Sequence, residues 1–201
     1  SKEFDEDKFD FESQRVVGRI NNSKSVSGEI DIQMIDGDSK LIQYESSYEK
    51  KFLKYIGEYE YAKKVIDQPV CIEKNGNKYY PDFAIYTYQN RIAIVEIKAH
   101  DQICKKRVLI RYMWGKEYAN EKGISYELVT LYRDEWISFE NIKNIAYNKE
   151  LEEYILMNLG ETRYENIREY CSNNKIEIFD FYSILINNDL CITYENKIEK
   201  L

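Results

Sequence analysis

The chain has 201 residues, 43% of them hydrophobic and 32% charged, with a net charge of −7. That length suits one good domain, or one domain with a small appendage, and the balance suits a folded soluble protein rather than a disordered one. The acidic total excludes a generally basic DNA-coating protein, and no apolar run approaches the roughly 18 residues needed to span a membrane.

The opening Ser1-Lys2-Glu3-Phe4-Asp5-Glu6 has no basic stretch followed by an apolar one, so no export signal is expected. The four cysteines, Cys71, Cys104, Cys171 and Cys191, form no CxxC pair, and His100 is the only histidine. A structural zinc site is therefore not expected, and a reduced, cytoplasmic setting is. Charge is uneven along the chain: net −5 over residues 1–60, +2 over 61–140 and −4 over 141–201. A local basic patch can supply phosphate contacts inside an acidic protein.

Residues 1–14 read as an acidic arm carrying Phe4, Phe9 and Phe11. Val16 to Ile20 and Glu29 to Ile35 read as short strands, with turns at Asn21-Asn22-Ser23-Lys24-Ser25 and Asp36-Gly37-Asp38-Ser39. A helix is expected from Ser46 or Ser47, where Ser46 and Glu49 have capping-box spacing and Phe52, Leu53, Ile56 and Tyr59 give one apolar face. Val65 to Ile72 reads as a strand that includes Pro69, followed by a hairpin turn at Asn75-Gly76-Asn77. Lys78 to Tyr86 is the expected return strand, and Arg91 to Lys98 the central one. Gln102 to Lys122 reads as a long helix stopped by Gly123, and Tyr126 to Leu131 as a further strand.

From about residue 138 the pattern changes to three short apolar stripes. They are Leu151/Tyr154/Ile155/Leu159, Ile167/Tyr170/Cys171 and Ile178/Phe181/Tyr182/Leu185, followed by a short strand at 190–194. Three small helices and a β element outline a winged-helix module. The expected fold class is α/β: a central mixed sheet flanked by helices over about 15–137, with a small, mostly helical C-terminal domain over 138–201.

The chemistry concentrates at Tyr80-Pro81-Asp82-Phe83 and Ile94-Val95-Glu96-Ile97-Lys98. Ile92 to Ile97 is nearly all apolar, as a strand in the middle of a sheet would be. A Glu at the end of such a run needs a reason, because a buried charge is costly unless paired or metal-bound. Asp82 and Glu96 on adjacent strands, with the backbone carbonyl of Ile97, make an oxygen donor set suited to Mg²⁺. Lys98 lies two residues beyond Glu96, on the same strand face, where an amine can orient a water or stabilise a charged transition state. Glu49 reads either as a further carboxylate for a second metal or as an ordinary capping-box acid. Gln68 reads as a site contact or as a strand-entry residue bonding to backbone. His100 reads as a supporting phosphate contact or an exposed loop residue. Lys105, Lys106, Arg107 and Arg111 are candidate DNA-phosphate contacts or a solvated helix face.

Pro81-Asp82 followed by Glu96-Ile97-Lys98 resembles the signature of the PD-(D/E)xK nuclease superfamily, with its restriction-endonuclease-like fold. With Tyr44-Glu45-Ser46-Ser47-Tyr48-Glu49, Gln68-Pro69 and Gly123-Ile124-Ser125-Tyr126-Glu127-Leu128-Val129-Thr130, the order over about 40–132 resembles TnsA-like transposon endonucleases. The resemblance implies Glu49, Asp82, Glu96 and Lys98 as the active-site set. It also implies one or two Mg²⁺ ions per site, with Mn²⁺ able to substitute, and nicking of DNA at transposon ends beside a partner transposase. A homodimer is compatible with it. Phage junction-resolving endonucleases share much the same motif order. A stand-alone defence or restriction nuclease, and a non-catalytic binding module on this fold, are the further alternatives.

Overall fold

A computed structural model describes residues 11–15, 27–34, 39–59 and 62–201. The expected strand at 16–20, the turn at 21–25, residues 36–38 of the second turn and residues 1–10 of the arm lie outside the described residues. The protein is mixed α/β with a central mixed five-stranded sheet and, among the described residues, six α-helices.

Strands β1 (Gly28–Gln33) and β2 (Ser39–Tyr44) form an antiparallel pair. Helix α1 (Ser47–Gly57) follows, with Ser46 as its N-cap: the Ser46 hydroxyl accepts the Glu49 N–H at 3.1 Å. Its stripe of Phe52, Leu53 and Ile56 is buried as the spacing predicts, whereas Tyr59 is exposed. Phe52 stacks on Phe83, with ring centroids 6.2 Å apart.

Strand β3 (Ala62–Asp67) is shorter than the expected strand over 65–72. It ends because Gln68 takes a left-handed conformation at φ 40°, which no strand continues, and Pro69 follows. Strands β4 (Ile72–Lys74) and β5 (Asn77–Tyr79) then form a hairpin. Its two-residue turn uses Asn75 and Gly76 at φ 52° and 77°, the pattern that Asn-Gly favours. The expected return strand is interrupted at Tyr80-Pro81-Asp82 and resumes as β6 (Phe83–Thr87), which runs antiparallel to β7 (Ile92–Ile97).

Residues 100–102 make a 3₁₀ turn, so α2 spans Lys106–Lys122 rather than beginning at Gln102. Gly123, at φ 70°, ends it. Strand β8 (Ser125–Tyr132) pairs with β9 (Glu135–Ser138), a strand the sequence pattern did not announce. The sheet order is β3-β6-β7-β8-β9, which puts β7 at its centre. Helices α3 (Phe139–Ile142), α4 (Lys149–Met157), α5 (Tyr164–Asn173) and α6 (Ile178–Asn187) precede an antiparallel hairpin of β10 (Leu190–Ile192) and β11 (Ile198–Lys200).

The chain divides into two compact units, Ser1–Ile97 with Met113–Leu128, and Lys98–Tyr112 with Val129–Leu201. The second unit therefore takes in more than the helical segment expected from residue 138. Phe83, Ile94, Leu53 and Leu128 are among the fully buried side chains of the first unit. The second is built on Ile103, Cys104, Ile142, Leu151, Ile155, Ile167, Phe181, Tyr182 and their neighbours. Tyr154 and Tyr170, expected on the apolar stripes, are instead exposed and stack on each other, with ring planes 12° apart.

Candidate functional site

Asp82 sits in the bend just before β6. Its Oδ2 accepts the Ile97 N–H at 2.7 Å, and its carbonyl accepts the Gln68 N–H at 2.8 Å. Phe83 pairs with Val95 across the β6/β7 ladder, the last pair before Asp82 on one strand and Glu96 on the other. The Asp82 carboxylate is thereby tied to the amide of the residue after Glu96, at the end of the central strand.

Glu96 is only 3% exposed. The Tyr126 hydroxyl, from β8, donates to its Oε2 at 3.1 Å. Burial, then the Glu96 charge, push the Tyr126 hydroxyl well above its usual range, so it stays protonated and remains a donor.

Two carboxylates and the Ile97 carbonyl are hard oxygen donors. They suit Mg²⁺, which keeps several waters and takes only one or two protein carboxylates. Among the described residues no group of three or more His, Cys, Asp or Glu side chains is arranged to hold a metal. Glu49 is engaged within α1's cap. The Glu49 Oε2 accepts the Glu45 N–H at 3.1 Å, completing the capping arrangement around Ser46.

Glu49 is 6% exposed, and burial raises its carboxyl above the ordinary value, with the Ser46 and Glu45 hydrogen bonds opposing. A raised folded-state value means that the fold holds the proton more tightly than the unfolded chain does. This contribution to stability is complete below the unfolded value and is lost as pH rises through the folded one. Glu49→Gln keeps an acceptor for the Glu45 N–H and removes the charge. Its stability relative to the wild type is expected to improve as pH rises from 4 to 7 in urea-unfolding curves. A constant offset across that range would contradict it.

The units divide after Ile97, so Lys98 belongs to the second, where its N–H donates to the Val129 carbonyl at 3.1 Å. His100 turns into that unit's interior: its Nδ1 lies 3.0 Å from the Tyr182 hydroxyl, and its ring packs on Phe179 and Tyr182. The Lys105 ammonium donates to the Asn196 Oδ1 at 2.5 Å and sits over the Tyr164 ring. Lys106 and Arg111 are half-buried and Arg107 is exposed, so Arg107 is the most accessible of the four candidate phosphate contacts.

Gln68 meets Asp82 through its backbone, and its own carbonyl accepts the Gln14 N–H at 2.8 Å. Beside it, Arg15 donates to Asp67 at 2.7 Å and to Glu45 at 2.6 Å. This tie from Arg15 to the ends of β2 and β3 has no sequence signal, since nothing in the local pattern marks Arg15 for carboxylates 30 and 52 residues away.

No protein-family model matches the chain, and no curated protein does. Among the described residues no helix is long and apolar enough to cross a membrane.

Proposed function

We propose that the protein is a metal-dependent DNA endonuclease of the PD-(D/E)xK kind, TnsA-like, hydrolysing phosphodiester bonds. The observation that supports this reading is the Asp82 carboxylate bonded to the Ile97 amide, next to the buried Glu96 at the end of the central strand. Bound Mg²⁺ would supply charge neutralisation at the phosphate and lower the pKa of a water.

Asp82, Glu96 and the Ile97 carbonyl hold that ion. Lys98 stabilises the charge that builds on the phosphoryl oxygens. Arg107, with Lys106 and Arg111, positions the backbone of the DNA. Lys105 stays with Asn196 and Tyr164. Helices α4 to α6 and the β10/β11 hairpin form the winged-helix-like module of this reading. The net charge of −4 over 141–201 favours a protein partner, such as a transposase, over DNA phosphates for that module.

Supercoiled plasmid with Mg²⁺ or Mn²⁺ tests the activity. The wild type is expected to nick it and Lys98→Ala to lose that nicking. Equal cleavage by both would remove Lys98 from the mechanism and the nuclease reading with it. Branched DNA cut in preference to linear duplex would assign the activity to junction resolution, and cutting at one fixed sequence would assign it to restriction.

A further inference from the structure

Helix α2 carries a glycine, Gly115, within its span of Lys106–Lys122. A glycine inside a helix costs about 1 kcal/mol relative to alanine, so its presence calls for a local cause. A Cβ at Gly115 would lie 2.3 Å from the Tyr126 ring, which fills the space a side chain would take. Tyr126 is buried, and its hydroxyl reaches the Glu96 carboxylate at 3.1 Å. Tyr79, also buried, is the second hydrogen-bonding neighbour of that hydroxyl.

We propose that Tyr126, seated against Gly115, is a positioning residue that fixes the Glu96 carboxylate for cation binding. This rests on the reading of Glu96 as a metal ligand. A glutamate has a free terminal torsion in principle, and a ligand that rotates binds metal poorly. One hydrogen bond to Oε2 restricts that rotation and leaves the carboxylate charge in place. Partners of this kind behind a metal ligand typically contribute ten- to a hundredfold in metal affinity, to order of magnitude. The neutral phenol suits the role, because it donates without competing for the site as a lysine or arginine would.

The test is titration of the metal-free full chain with MnCl₂, followed by calorimetry, for wild type, Tyr126→Phe, Gly115→Ala and Glu96→Gln. Tyr126→Phe removes only the hydroxyl and is expected to fold and to raise the Mn²⁺ Kd roughly tenfold. Gly115→Ala is expected to shift Kd in the same direction by displacing the ring. In plasmid cleavage Tyr126→Phe is expected to lower kcat with KM for DNA little changed. Wild-type Kd in Tyr126→Phe, with a weakened Glu96→Gln, would overturn the positioning role and leave the metal reading standing. Undiminished Mn²⁺ binding in Glu96→Gln, or none in the wild type, would overturn both.

Discussion

Asp82→Asn is expected to abolish metal-dependent cleavage while leaving the fold intact. The amide keeps an oxygen that can accept the Ile97 N–H now held at 2.7 Å, so the β6/β7 junction retains its tie. Its loss of stability should stay within about 1 kcal/mol, the net worth of a typical hydrogen bond. Catalysis is affected differently. Charge neutralisation by a metal at a phosphate is worth several kcal/mol, and about 3 kcal/mol is a hundredfold or more in rate. An Asn ligand is neutral, so both Mn²⁺ affinity and nicking should fall together. Nicking at the wild-type rate by a folded Asp82→Asn protein would rule out Asp82 as the ligand. A variant that unfolds would instead show that the carboxylate serves the bend before β6.

The parts of this fold that could be read from the chain are those set by local rules. The Ser46 cap, the Phe52/Leu53/Ile56 face and the Asn75-Gly76 turn each follow from a few adjacent residues, and the structure has them where the pattern put them. The apolar run of Ile92–Ile97 marked the central strand for the same reason, since only a strand covered on both faces tolerates it. The misread segments are those where tertiary context decides. Residues 65–72 keep a strand-like composition, but the left-handed Gln68 breaks the strand while its amide serves the Asp82 carbonyl. Glu135–Ser138 is too short to show alternation, and it becomes a strand through its pairing with β8.

The candidate site divides along the same line. Asp82 and Glu96 were legible because a charge beside a buried strand is conspicuous. Tyr126 was not, since one tyrosine among 19 carries no signal until its ring is found over Gly115. His100 and Lys105 drew notice as polar residues near the motif, yet both are engaged inside the second unit. A sequence shows which side chains can do chemistry, but their direction depends on what packs behind them.

The second unit should be most sensitive at Tyr182. This side chain is fully buried, with its ring 5.3 Å from Phe179 in an edge-on arrangement and 5.7 Å from Phe181. Its hydroxyl lies 2.8 Å from that of Tyr164 and 3.0 Å from the His100 Nδ1. Burial pushes that hydroxyl far above its usual range, so it stays neutral at any working pH. Tyr182→Ala removes a whole ring from a packed interior and should cost about 3–5 kcal/mol, a large share of the roughly 5–15 kcal/mol that holds a typical protein together. Tyr182→Phe keeps the ring and leaves Tyr164 and His100 one partner short, at about 1–2 kcal/mol. Hydrogen exchange of the α5 and α6 amides in the three proteins reads the two costs within this unit. Protection should fall slightly in the phenylalanine variant and collapse in the alanine one. Equal collapse in both would mean that the Tyr164–Tyr182–His100 hydrogen bonds, and not ring packing, hold these helices in place.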